Sequence, residues 1–124
     1  VASAAAAARR LLATAEGVAL PPGLVGERDL VLESALAEHP PALHRLAAVL
    51  DPVRAHEHLA EALVAFLASD GNREPTAAAL FLSPGGLSLR LDRIAQLTGF
   101  DPRTSRGARV LGAALSARSL LDRP

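Results

Sequence analysis

Apolar positions recur at helical spacing through most of this chain, and Gly or Pro cuts the pattern into segments. Residues 2–16 contain neither breaker and end at Gly17, which predicts a glycine-terminated helix. Val18, Ala19 and Leu20 read as a short extended piece before Pro21, Pro22 and Gly23 break the chain. Residues 27–38 resume the pattern, with Leu30, Val31, Leu32, Ala35 and Leu36 apolar, and His39-Pro40-Pro41 closes it. Leu43, Leu46, Ala47 and Leu50 predict a short helix over 42–50, ended by Asp51-Pro52.

Residues 53–69 form the longest amphipathic run, with Leu59, Leu63, Phe66 and Leu67 in one stripe and Asp70-Gly71-Asn72 as its stop. Pro75 is well placed in a first helical turn and predicts a brief helix over 75–81. After a tight link, Ser83 caps and Pro84 starts a second helix that buries Leu87, Leu91 and Ile94 and stops at Gly99. Asp101-Pro102 makes a turn, and Ser105 caps a last helix running to Leu121 that buries Val110, Leu111, Ala114, Leu115 and Leu121. The expected fold is all-α, about six helices containing a helix-turn-helix.

Composition agrees with helices and narrows the chemistry. Half of the 124 residues are apolar, mainly Ala and Leu, with three Phe and no Trp or Tyr, as expected of helices packed closely through small side chains in one core. With no Cys there is no disulfide framework, thiolate chemistry or Cys-based zinc site, which fits a cytoplasmic protein. With no Met, the chain is expected to be a piece of a longer protein. Arg9 and Arg10 follow the alanine run, and no stretch approaches the roughly 20 apolar residues of a membrane span, so neither a signal peptide nor membrane insertion is expected.

Net charge is zero but unevenly spread. Residues 1–71 carry five Arg against nine acids, a net of −4, whereas residues 72–124 carry eight Arg against four acids, a net of +4. The basic half holds the helix-turn-helix pattern, the polarity a phosphate-binding surface requires. His56, Glu57, His58 and Glu61, with His44 nearby, invite a metal reading. Residues two apart on a helix point about 200° away from each other, and the His-Glu-x-x-His zinc spacing is absent, so no metal is expected. Ser34, Ser69, Ser83 and Ser105 lack the context of a nucleophile elbow, and no Gly-rich loop follows a strand, so neither catalysis nor a cofactor is expected.

Gly71-Asn72, Thr76-Ala77, Ala79-Leu80, Leu87, Arg90-Leu91, Arg93-Ile94, Leu97-Thr98-Gly99 and Asp101-Pro102, followed by an amphipathic closing helix, resemble the C-terminal helix-turn-helix of the PucR-like regulators. These are the purine-catabolism and sugar-diacid transcription factors. The stretch before residue 56 is similar to the one that joins that family's GGDEF-like middle domain to its DNA-binding end. The resemblance implies three segments: 1–26 as the tail of an upstream GGDEF-like domain, 27–55 as a helical connector and 56–124 as the helix-turn-helix domain. It also implies a cytoplasmic bacterial transcription regulator that works as a homodimer on double-stranded DNA. The family usually opens the second motif helix with His-Arg-Asn-Thr and later places a Tyr, where this chain has Ser83-Pro84-Gly85-Gly86 and Leu89.

A helical projection puts Gly85, Ser88, Leu89, Asp92 and Gln96 on the outer face, with Arg90 and Arg93 flanking it. The expected DNA-contacting residues are Thr76, Ser83, Gly85, Gly86, Ser88, Leu89, Arg90 and Arg93, and the glycines allow backbone amides to approach a phosphate closely. Arg90 and Arg93 either meet phosphates or pair with Asp92 or a neighbouring acid. Arg103, Arg106 and Arg109 either form a second phosphate clamp or are ordinary surface residues, and Thr76 is either a helix-surface or capping residue or a phosphate ligand. Two functions follow: a DNA-binding regulator domain, or the same fold as a dimerisation or protein-interaction module with Leu89 packed on a partner.

Overall fold

The computed structural model describes residues 31–123. The expected helix over 2–16, the extended piece at 18–20 and the upstream-domain tail over 1–26 lie outside the described residues. Among the described residues there are seven helices and no strand: α1 (Val31–Glu38), α2 (Pro40–Ala48), α3 (Asp51–Arg54), α4 (Glu57–Ala68), α5 (Arg73–Ala79), α6 (Pro84–Thr98) and α7 (Ser105–Leu121). None of them is long and apolar enough to cross a membrane. The expectation of an all-α fold of about six helices holds.

Where one core was expected, the chain divides into two compact units, residues 49–112 and residues 1–48 with 113–124. The 17-residue α7 contributes to both.

Residues 49–112 contain α3 to α6 and the start of α7. The expected single helix over 53–69 is in fact two, because His56 is extended (φ −123°, ψ 91°) and serves as the N-cap of α4. Val53 and Leu59 explain the break. Six residues apart on one unbroken helix they would point about 120° away from each other, whereas both are buried here. Asp70 (φ 55°) and Gly71 (φ 75°) end α4, and the Gly71 amide donates to the Phe66 carbonyl at 2.9 Å. Helix α4 packs on α3, α5 and α6, and α6 packs also on α3 and α5. Leu59, Leu63 and Phe66 of α4 and Leu87, Leu91 and Ile94 of α6 are buried where these two helices pack. Burying each such side chain is worth about 1.5–3 kcal/mol, so this cluster holds the motif helices in place.

Helix α5 starts at Arg73, ahead of Pro75, and ends at Ala79. Phe81, expected within that helix, instead takes a left-handed conformation (φ 55°) in the link. The cap of α7 also differs from expectation: Thr104 Oγ1, not Ser105, accepts the Gly107 amide at 2.9 Å.

In the other unit, Leu36, Leu43, Ala47 and Ala117 are buried together, flanked by Ala42, Leu46, Leu120 and Leu121. The Ser116 hydroxyl donates to Glu33 Oε1 at 3.1 Å. Of the apolar residues of α1, Leu36 is buried while Val31 and Leu32 are exposed.

Candidate functional site

The start of α6 is built as its sequence requires. Ser83 is extended (φ −71°, ψ 159°), its Oγ accepts the Gly86 amide at 3.0 Å, and Pro84 occupies the first turn, where a missing N–H costs nothing. A Cβ on Gly86 would stand 3.2 Å from Ser83 Oγ, a tight contact that the capping side chain would have to yield to slightly. At the other end Gly99 closes the helix at φ 81°. Leu87, Leu91 and Ile94 face the core as projected.

The opposite face carries few groups that can hydrogen-bond to a base. Gly85, Leu89, Asp92, Arg93 and Gln96 are exposed, and Gly86, Ser88 and Arg90 are half-buried. Leu89 is 72% exposed. Arg90 Nη1 donates to the His58 carbonyl at 3.3 Å, which turns this cation back toward the start of α4. Arg93 Nη1 lies 3.4 Å from Gln96 Oε1, leaving its charge on the outer face.

Asp92 does not pair with Arg90 or Arg93. Its Oδ1 accepts Arg103 Nη2 at 2.6 Å, and Arg103 Nε also donates to Asp101 Oδ1 at 2.9 Å. The side-chain hydrogen bond from Arg103 holds the Asp101 carboxyl below the usual aspartate value, and the bonds to Asp101 and then Asp92 raise Arg103 further. One guanidinium thus bridges two carboxylates. No sequence spacing announces this arrangement, since the turn after α6 brings Arg103 back onto that helix.

Thr76, expected among the contacting residues, is corrected by its burial: it is 0% exposed and its hydroxyl donates to the Asn72 carbonyl at 2.7 Å. It is an interior residue of α5, beyond reach of a phosphate. Two further arginines of the basic half have local partners. Arg106 lies over the Phe100 ring at 5.9 Å, and Arg109 Nη1 donates to Ser105 Oγ at 3.1 Å. Arg73, Arg103 and Arg109 line an open groove of about 630 Å³ that also presents Thr104, Ser105 and Asp70.

His56 and His58 stand closer than helical projection implies, because His56 lies off the helix; their ring centroids are 6.0 Å apart, edge to face. Among the described residues no group of three or more His, Asp or Glu side chains is placed to hold a metal ion.

The family model of the PucR C-terminal helix-turn-helix domain matches residues 59–117. That span runs from Leu59 in α4 to Ala117 in α7 and includes the α5–α6 motif. No curated protein and no solved structure matches the chain.

Proposed function

We propose that residues 59–117, which match the family model of the PucR C-terminal helix-turn-helix domain, bind double-stranded DNA as part of a transcription regulator, with α6 entering the major groove. The observation that carries this reading is the outward face of α6, which follows a capped, glycine-bearing start and is flanked by Arg90 and Arg93. In helix-turn-helix proteins the second helix lies in the major groove and its N-terminal residues meet base edges. Ser83, Gly85, Gly86, Ser88 and Leu89 are the contacting set, with Arg90, Arg93 and, in the groove beside Thr104, Arg73 and Arg109 serving phosphates. The net +4 of residues 72–124 supports this polarity.

The regulator works in the cytoplasm as a homodimer and has no enzymatic role. Residues 1–26 are read as the tail of an upstream GGDEF-like domain and 27–55 as a connector whose last helix, α3, packs with the motif. The test is titration of the isolated chain into labelled duplex from upstream of its own gene. Saturable binding at low salt supports the reading, and no binding at protein concentrations well above 0.1 mM, the weak end of nonspecific affinity, rejects it.

A second reading rests on the exposure of Leu89 and of Phe81, which is 96% exposed. Large apolar side chains left in water also suit a protein partner. In that case the motif serves association, and the same titration shows no DNA binding.

A further inference from the structure

We propose that Leu89 is a specificity-determining residue that reads the C5-methyl group of thymine in the major groove, an inference that rests on the DNA-binding reading above. Over its first two turns α6 offers Pro84, Gly85, Gly86, Leu87, Ser88 and Leu89. Pro84 and the two glycines have no side-chain hydrogen-bonding group, Leu87 is buried and Ser88 is half-buried. The large side chain projecting from this part of the helix is therefore an isobutyl group.

Gly85 lies one turn before Leu89, so the two share a helix face. A Cβ placed on Gly85 would meet nothing within 4 Å, which leaves the helix surface bare immediately ahead of the leucine. A bare backbone beside one protruding apolar group fits close approach to a groove floor. In the major groove the apolar feature on offer is the thymine methyl, which cytosine, adenine and guanine lack. Hydrogen-bonded readout of the kind Arg, Asn or Gln supplies falls to Gln96, two turns further along the helix, while Arg90 and Arg93 are bonded to His58 and Gln96. Discrimination near the start of α6 thus comes from van der Waals contact and from expelling water between Leu89 and a methyl group.

The experiment uses the tightest-binding duplex recovered from a random-sequence pool, synthesised once with thymine and once with uracil, which differs by that methyl alone. The wild-type chain is expected to bind the uracil duplex about fourfold more weakly for each contacted methyl removed. Leu89→Ala is expected to bind both duplexes equally with an unchanged melting temperature, since the side chain is solvated in the free protein. Equal wild-type affinity for the two duplexes, recovery of a site without thymine, or discrimination that persists in Leu89→Ala each overturn the proposal while leaving DNA binding intact. Failure of the wild type to bind any duplex rejects the DNA-binding reading itself. Indifference to the methyls together with loss of self-association in Leu89→Ala overturns the proposal and assigns the face to a second copy of the chain.

Discussion

Arg103 Nη2 stands 2.6 Å from Asp92 Oδ1, joining the turn after α6 to the outward face of that helix. An acid on this face would repel a phosphate backbone, and Arg103, shared with Asp101, offsets part of its charge in place. The pair is partly exposed, so its breakage is expected to cost the fold less than about 1 kcal/mol. Its effect on DNA binding is expected to be larger. Arg103→Ala leaves Asp92 uncompensated and weakens binding several-fold, Asp92→Asn strengthens it, and Arg103→Ala costs less in the Asp92→Asn background. Anisotropy titrations of the four proteins check this; strictly additive effects contradict it.

Asp101 gives the fold an acid-sensitive contact. Its folded-state pKa lies below the ordinary 3.8 because Arg103 hydrogen-bonds the carboxylate. A lowered pKa means that the contact contributes in full above the unfolded value and is lost as pH falls through the folded one. Melting temperature is expected to decline as pH drops below about 4, and Asp101→Asn is expected to flatten that decline. An unchanged acid profile in the variant contradicts the assignment.

Two glycines of α7 are expected to respond oppositely to alanine. A Cβ at Gly107 would lie 1.8 Å from the Asp101 carbonyl oxygen, so the backbone must move to admit it. At Gly112 a Cβ meets nothing within 4 Å. Gly107→Ala is expected to destabilise by about 3 kcal/mol or more, and Gly112→Ala to stabilise by about 1 kcal/mol through helix propensity. Urea denaturation reads both.

Phe81 occupies the left-handed region with its ring in solvent. That conformation costs a side chain with a Cβ about 1–2 kcal/mol, less for Asn, and an exposed ring recovers little of it. Phe81→Asn is expected to raise stability by about 1 kcal/mol. A loss of stability would mean that the ring makes contacts in the folded chain that its exposure does not show.

Helix positions at the motif were legible because the residues that set them act locally. Ser83, Pro84 and Gly99 fix the ends of α6 through their own backbone preferences, and Leu87, Leu91 and Ile94 mark its inner face by spacing alone. The break between α3 and α4 was hidden because Ala55-His56 contains no Gly or Pro; burial of both Val53 and Leu59 decides it. Thr76 misled because a threonine near a helix start is as suited to a buried hydroxyl bonded to the Asn72 carbonyl as to a surface contact. The Asp92–Arg103 pair and the two-unit division depend on tertiary placement, which the order of residues does not spell out.

The salt dependence of binding to duplex DNA distinguishes a phosphate-contacting α6 from a helix that serves association. If Arg90, Arg93 and the groove residues Arg73 and Arg109 neutralise about three phosphates, log affinity is expected to fall against log salt concentration with a slope near −2.7, and joint Arg90→Glu and Arg93→Glu substitution is expected to abolish binding in a chain that still melts cooperatively. Absence of binding at low salt, or a slope and affinity indifferent to those reversals, would contradict the assignment of α6 as a DNA-reading helix.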